Sequence, residues 1–106
     1  MKKLFKVETY LPEEALDTIK NALYKLGLGK VGNYDCCMSW WEVSSSWRAK
    51  EGANPYLGKI DEIEFAPEYK LEFRCKEEDL QRAVNAIKSK HPYETVCINI
   101  IPLCEI

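Results

Sequence analysis

The sequence predicts an α+β domain in the order β-α-β-β-α-β, and three observations carry that reading. Leu16, Ile19, Leu23 and Leu26 recur at three- and four-residue steps, one face of a helix. Leu80, Ala83, Val84 and Ile87 repeat that pattern near the other end of the chain. Around and between them lie runs rich in β-branched and aromatic residues, bounded by Gly and Pro. Two helices on one face of an antiparallel sheet is the ferredoxin-like plan.

The first strand is read at 4–11, a loosely alternating β-rich run. Pro12 then fixes φ near the helical value, and Glu13 and Glu14 place negative charge at a helix N-terminus. Gly27 ends that helix in the left-handed cap that glycine enters cheaply, with Leu28 folding back on Leu23. Residues 34–48 carry Cys36, Cys37, Trp40, Trp41, Val43, three serines and Trp47, a long strand or hairpin with its turn expected at 42–45. Gly52 and Gly58 bound a loop around Asn54-Pro55. Ile60, Ile63, Phe65, Tyr69, Leu71 and Phe73 give a strand pair or one bent strand, with Pro67 as the expected break. Glu77, Glu78 and Asp79 open the second helix, and Lys88 and Lys90 close it. Pro92 disfavours helical geometry at His91 and stops it there. The last strand is read over 94–103, with Val96, Ile98 and Ile100 on one face and Cys97, Asn99 and Ile101 on the other.

A chain of 106 residues with 46% hydrophobic and 30% charged residues has the size and composition of one globular domain, spanning 1–106. The net charge of −2, with both signs mixed, argues against nucleic acid as a partner. No apolar run approaches the ~20 residues of a membrane span. The basic start lacks the apolar block of a secretory signal, so a cytoplasmic location is expected. Five cysteines, none in a C-x-x-C pair, point to reduced and mostly buried thiols. Adjacent Cys36 and Cys37 would face opposite ways on a strand. Gly27-Leu28-Gly29-Lys30-Val31-Gly32 fits G-x-G-x-x-G but follows a helix, so it is read as cap and turn.

His91-Pro92-Tyr93-Glu94 holds the chain's one histidine at the junction of helix and strand. His91, Glu94 and Cys37 are candidate ligands for zinc or copper. The plainer alternative is that His91 and Glu94 shape the turn and hydrogen-bond to the backbone. No base lies near either thiol in sequence, so no catalytic residue is assigned. Three tryptophans on extended backbone need cover, from the sheet's open face or from a partner subunit. Tyr34, Trp40, Trp41, Trp47, Asn54, Tyr56 and Tyr93 are accordingly the candidate ligand-binding or interface residues.

Several pieces together resemble one family. They are Gly32-Asn33-Tyr34 with Cys37; Arg48; Glu51-Gly52-Ala53-Asn54-Pro55-Tyr56 followed by Leu57-Gly58; and His91-Pro92-Tyr93-Glu94 ending in Pro102-Leu103. The set resembles the insert domain of the YqfO proteins, bacterial members of the Nif3-like dinuclear-metal family. That insert is similar to the PII and CutA proteins, so the resemblance implies a PII/CutA-like ferredoxin fold with an extended hairpin. It also implies a homotrimer, with a dimer as the second choice, and a site for a metal or small ligand at subunit clefts. The family's dinuclear site draws on histidines and acids of flanking domains, and one histidine does not rebuild it. The expected function is a non-enzymatic binding or regulatory module. The alternatives are a metal-dependent hydrolase and a protein-docking module acting on a separate enzyme.

Overall fold

In the computed structural model, which describes residues 3–104, β1 runs Leu4–Leu11 and α1 follows at Glu13–Lys25. Pro12 sits extended at the helix start, and Leu16, Ile19 and Leu23 are buried on its inner face. The C-terminus closes as expected. Gly27 has φ +74°, its N–H donates to Tyr24 O, and the Leu28 N–H donates to Leu23 O. These are the two bonds of a Schellman cap, and Leu28 is buried in the same core as Leu23.

The middle of the chain departs from expectation. Residues 34–38 are not strand; β2 begins at Ser39 and continues unbroken to Arg48, with no turn at 42–45. A bridge between Val31 and Tyr34 and a bond from Cys37 N–H to Gly29 O hold the preceding segment in a tight bend. Cys36 takes φ +55° there, so the two cysteines do not alternate across a strand. Gly29 has φ +81°, and a Cβ on it would meet the Cys37 nitrogen at 2.9 Å, so the bend requires glycine at that position. β3 spans Ile63–Lys76 as one strand, and Pro67 does not break it. Pro67 pairs with Ser44 of β2, whereas β1 reaches only as far as Tyr69 of β3. With a neighbour on one side only, the strand has the edge character that proline tolerates.

A 3-10 turn at Glu77–Asp79 leads into α2, Leu80–Lys90, and His91 ends it in extended geometry. β4 is shorter than expected, Ile98–Pro102; residues 94–97 lie before it. The sheet order is β2-β3-β1-β4, and every paired neighbour is antiparallel. Both β-α-β connections therefore cross over an intervening strand, the split arrangement of the ferredoxin-like plan.

The core fills between one sheet face and the helices. Val7, Leu11, Leu71, Phe73 and Cys75 come from the sheet, and Ala15, Leu16, Ile19, Leu23, Ala83 and Ile87 from the helices. The open face is polar at its centre: Glu8 is buried, accepts from Asn99 Nδ2 at 3.0 Å and pairs with Lys70 at 3.3 Å. The Asn99 bond and the Lys70 ammonium hold the Glu8 carboxyl below its ordinary range, against the opposing cost of burial.

Beyond Leu11 the sheet narrows to a two-stranded ribbon, 43–48 against 63–68, closed by the loop 49–62. The described residues measure 46 × 24 × 22 Å with a radius of gyration of 15.0 Å, against ~13 Å for a compact chain of ~100 residues. The ribbon accounts for that length. All five cysteines are free thiols, but only Cys75 is buried; Cys36, Cys97 and Cys104 are exposed and Cys37 is half-buried. Burial pushes the Cys75 thiol up to about 11. Among the described residues no helix is long and apolar enough to cross a membrane.

Candidate functional site

Helix α2 stops at His91, and the stop turns the imidazole toward the end of β1. His91 is buried, and its Nε2–H donates to Tyr10 O at 2.7 Å while Nδ1 accepts the Tyr93 N–H at 3.2 Å. Those bonds require the neutral ring protonated on Nε2. Burial holds its pKa below the ordinary value, though the Tyr10 carbonyl and the nearby Glu68 charge pull the other way.

Tyr93 follows. Its hydroxyl donates to Glu68 Oε2 at 2.6 Å, and its ring lies 4.5 Å from His91 and 5.6 Å from Tyr56, centre to centre. Burial, then the Glu68 carboxylate, pushes the Tyr93 phenol well above its usual value. Glu94 accepts the Asn54 N–H at 2.6 Å, and the Tyr56 hydroxyl donates to the Glu14 carboxylate. That bond lowers the pKa of Glu14 and raises that of Tyr56. The Trp47 indole N–H donates to Leu57 O at 3.1 Å, which ties the loop 49–62 to β2. Loop, ribbon and the His91 corner thereby enclose a cleft of about 520 Å³, the size of a small-molecule site.

Of the sequence candidates, Trp47, Tyr56, Tyr93 and Glu94 line the cleft, and Asn54 fastens its rim. The others lie elsewhere. Trp40 packs under the Lys20 ammonium at 3.7 Å, Trp41 lies 5.3 Å from that of Lys70, and Tyr34 stands 75% exposed. Sequence reasoning missed Tyr10, Arg48 and Glu68 as cleft residues. Strand alternation was the available signal for two of them. Tyr10 pairs with Lys70, two residues from Glu68, so both point to the open face.

The three proposed metal ligands do not converge. Among the described residues no group of three or more His, Cys, Asp or Glu side chains is placed to hold a metal. Both His91 ring nitrogens are engaged, Glu94 holds the loop, and the Cys37 thiol turns to Asp35 O at 3.5 Å. These residues fit the turn-shaping role better than zinc or copper, and they do not fit the dinuclear centre of the resembled family.

No protein-family profile matches the chain. It is 38% identical over 99 residues to a GTP cyclohydrolase 1 type 2 homolog of Staphylococcus epidermidis, covering 93% of this chain and 27% of that protein. The chain thus spans about a quarter of the length of the curated relatives it matches. Among solved structures, a Bacillus cereus protein related to NIF3 superposes with TM-score 0.86 at 24% identity, over 98% of this chain and 26% of that one. The divalent ion tolerance protein CutA1 of Ehrlichia chaffeensis superposes with TM-score 0.74 at 23% identity, over 100% of this chain and 86% of that one. GlnK of B. subtilis shares the fold, with TM-score 0.68 at 16% identity, over 95% of this chain and 85% of that one.

Proposed function

We propose that this chain, homologous to a segment of the Nif3-related GTP cyclohydrolase 1 type 2 homologs and folded like CutA and GlnK, is a self-associating module that binds a small ligand without transforming it. The observation that carries the reading is the cleft of about 520 Å³ at the root of the ribbon, walled by Trp47, Tyr56 and Tyr93. A few aromatic walls with a few convergent polar groups suit ligand capture. Catalysis by general base is poorly served, because His91 spends both ring nitrogens on the backbone. Self-association is supported by apolar side chains left in solvent along the ribbon and its closing loop: Phe65, Ile63 and Ile60. A homotrimer is the assembly the resemblance favours.

Native mass spectrometry of the chain purified without chelator tests both parts at once. The expected spectrum holds trimers and a mass increment for a retained small molecule. A lone chain at micromolar concentration with no increment, and no ligand recovered after denaturation, sinks the reading.

A further inference from the structure

We propose that the cleft selects an organic cation, an ammonium group on a small apolar body, with Glu68 as its counter-charge; this rests on reading the cleft as a ligand site. Glu68 lines the cleft and is 7% exposed. Its hydrogen bond is the one Tyr93 donates to Oε2. The ion pairs among the described residues leave it out. Lys70, two residues on and on the same face, is held by Glu8 at 3.3 Å. Lys50, also at the cleft, is held by Asp61 at 2.5 Å. His91 contributes no charge, since its ring is neutral with Nε2–H on Tyr10 O.

A carboxylate this far out of water without a cation is costly to keep. A bound ammonium offsets that cost. The walls suit the same occupant. Tyr10, Trp47, Tyr56 and Tyr93 bring four aromatic rings to the cleft, and ring faces attract cations strongly once water is displaced. Arg48 is the feature that argues for an anion instead. It is exposed, so solvent and salt screen its charge, whereas that of the buried Glu68 is screened much less. The second acid, Glu94, spends Oε2 on the Asn54 N–H and adds negative potential at the rim.

Three probes with one shared apolar body separate the outcomes: choline, its neutral carbon isostere dimethylbutanol, and the anion dimethylbutanoate. Binding is read from chemical-shift changes at the Trp47 indole N–H and the Tyr93 amide. The expected result is saturable choline binding, with the isostere at least about tenfold weaker and the anion weaker still. Glu68→Gln keeps the shape and an acceptor for Tyr93, and should weaken choline about tenfold or more while leaving the isostere unchanged. If isostere or anion binds as well as choline, or Glu68→Gln leaves choline affinity intact, the cation assignment is overturned and the cleft remains a ligand site. If none of the three binds, the cleft reading fails and this one with it. The probe comparison needs only the wild-type chain, so its outcome stands whether or not the variant folds.

Discussion

His91 is the residue whose role the sequence leaves most open. A lone histidine three residues from a glutamate reads as a metal ligand or as a turn-former bonded to the backbone, and here it is a buried neutral bridge between Tyr10 O and the Tyr93 N–H. Nothing in the residue types distinguishes the two roles; the difference lies in Tyr10, 81 positions away. The neutral ring makes a pH prediction with a definite sign. Burial lowers the folded-state pKa below the ordinary 6.5, so above that pH both states carry the ring uncharged and its stabilisation is complete. As pH falls from there toward the folded value the unfolded chain takes up the proton first, and stability is lost. Urea unfolding at about pH 7.5 and about pH 5.5 should therefore show a lower midpoint in acid. His91→Gln keeps a donor for Tyr10 O but does not titrate, so the slope over this window should flatten. The carboxylates held low by their partners, Glu8 and Glu14, act at lower pH and do not mimic it. An equal slope in wild type and variant would exclude His91 as its source.

Among the elements, those with local causes were legible and those with distant ones were not. The alternating run of β1, the leucine face and Schellman end of α1, and the Pro92 stop of α2 each depend on residues within a few positions. The β2 boundaries are hard to read because Trp40, Trp41 and Val43 carry β propensity on both faces, while the bend before them is set by Gly29 meeting Cys37. The continuity of β3 through Pro67 is hidden for a similar reason: it depends on β1 ending opposite Tyr69. The bend gives a sharp test. Gly29→Ala forces an L-residue to φ +81° and puts its Cβ 2.9 Å from a backbone nitrogen, a cost of about 1–3 kcal/mol. The Cys37 N–H to Gly29 O bond of 2.8 Å should break with it, so the Cys37 amide should lose hydrogen-exchange protection while Ile19 and Ile87 in the core keep theirs. Gly32→Ala is the control, since a Cβ there meets nothing within 4 Å although φ is also positive, at +57°. If the two variants lose the same stability, the contact with Cys37 contributes nothing and the strain is in the dihedral alone.

At the scale of the whole molecule, the cleft and the ribbon are consequences of one topological fact, that β2 and β3 outrun β1. The overhang gives the loop 49–62 somewhere to fold back, and Glu14, Glu94 and Trp47 fasten it there, so the cleft draws on four separate stretches of chain. The sequence picks out Trp47, Tyr56 and the 93–94 corner separately, but their meeting in one cleft depends on the overhang. The same overhang strips the ribbon of neighbours. Phe65 is 74% exposed and Ile63 57% exposed, values at which a lone subunit gains little from them. Their substitution by serine should leave the folding of the single chain nearly unchanged. If copies cover the ribbon, each side chain contributes ~1.5–3 kcal/mol per buried copy, enough for Phe65→Ser with Ile63→Ser to weaken assembly by two or more orders of magnitude. Sedimentation velocity over a concentration series should then show the wild type as a closed oligomer and the double variant as single chains with native circular dichroism. A double variant that sediments with the wild type would mean that the ribbon's apolar surface lies outside any interface, and the assembly would have to be built on the other exposed apolar edge, Ile100 and Ile101 of β4.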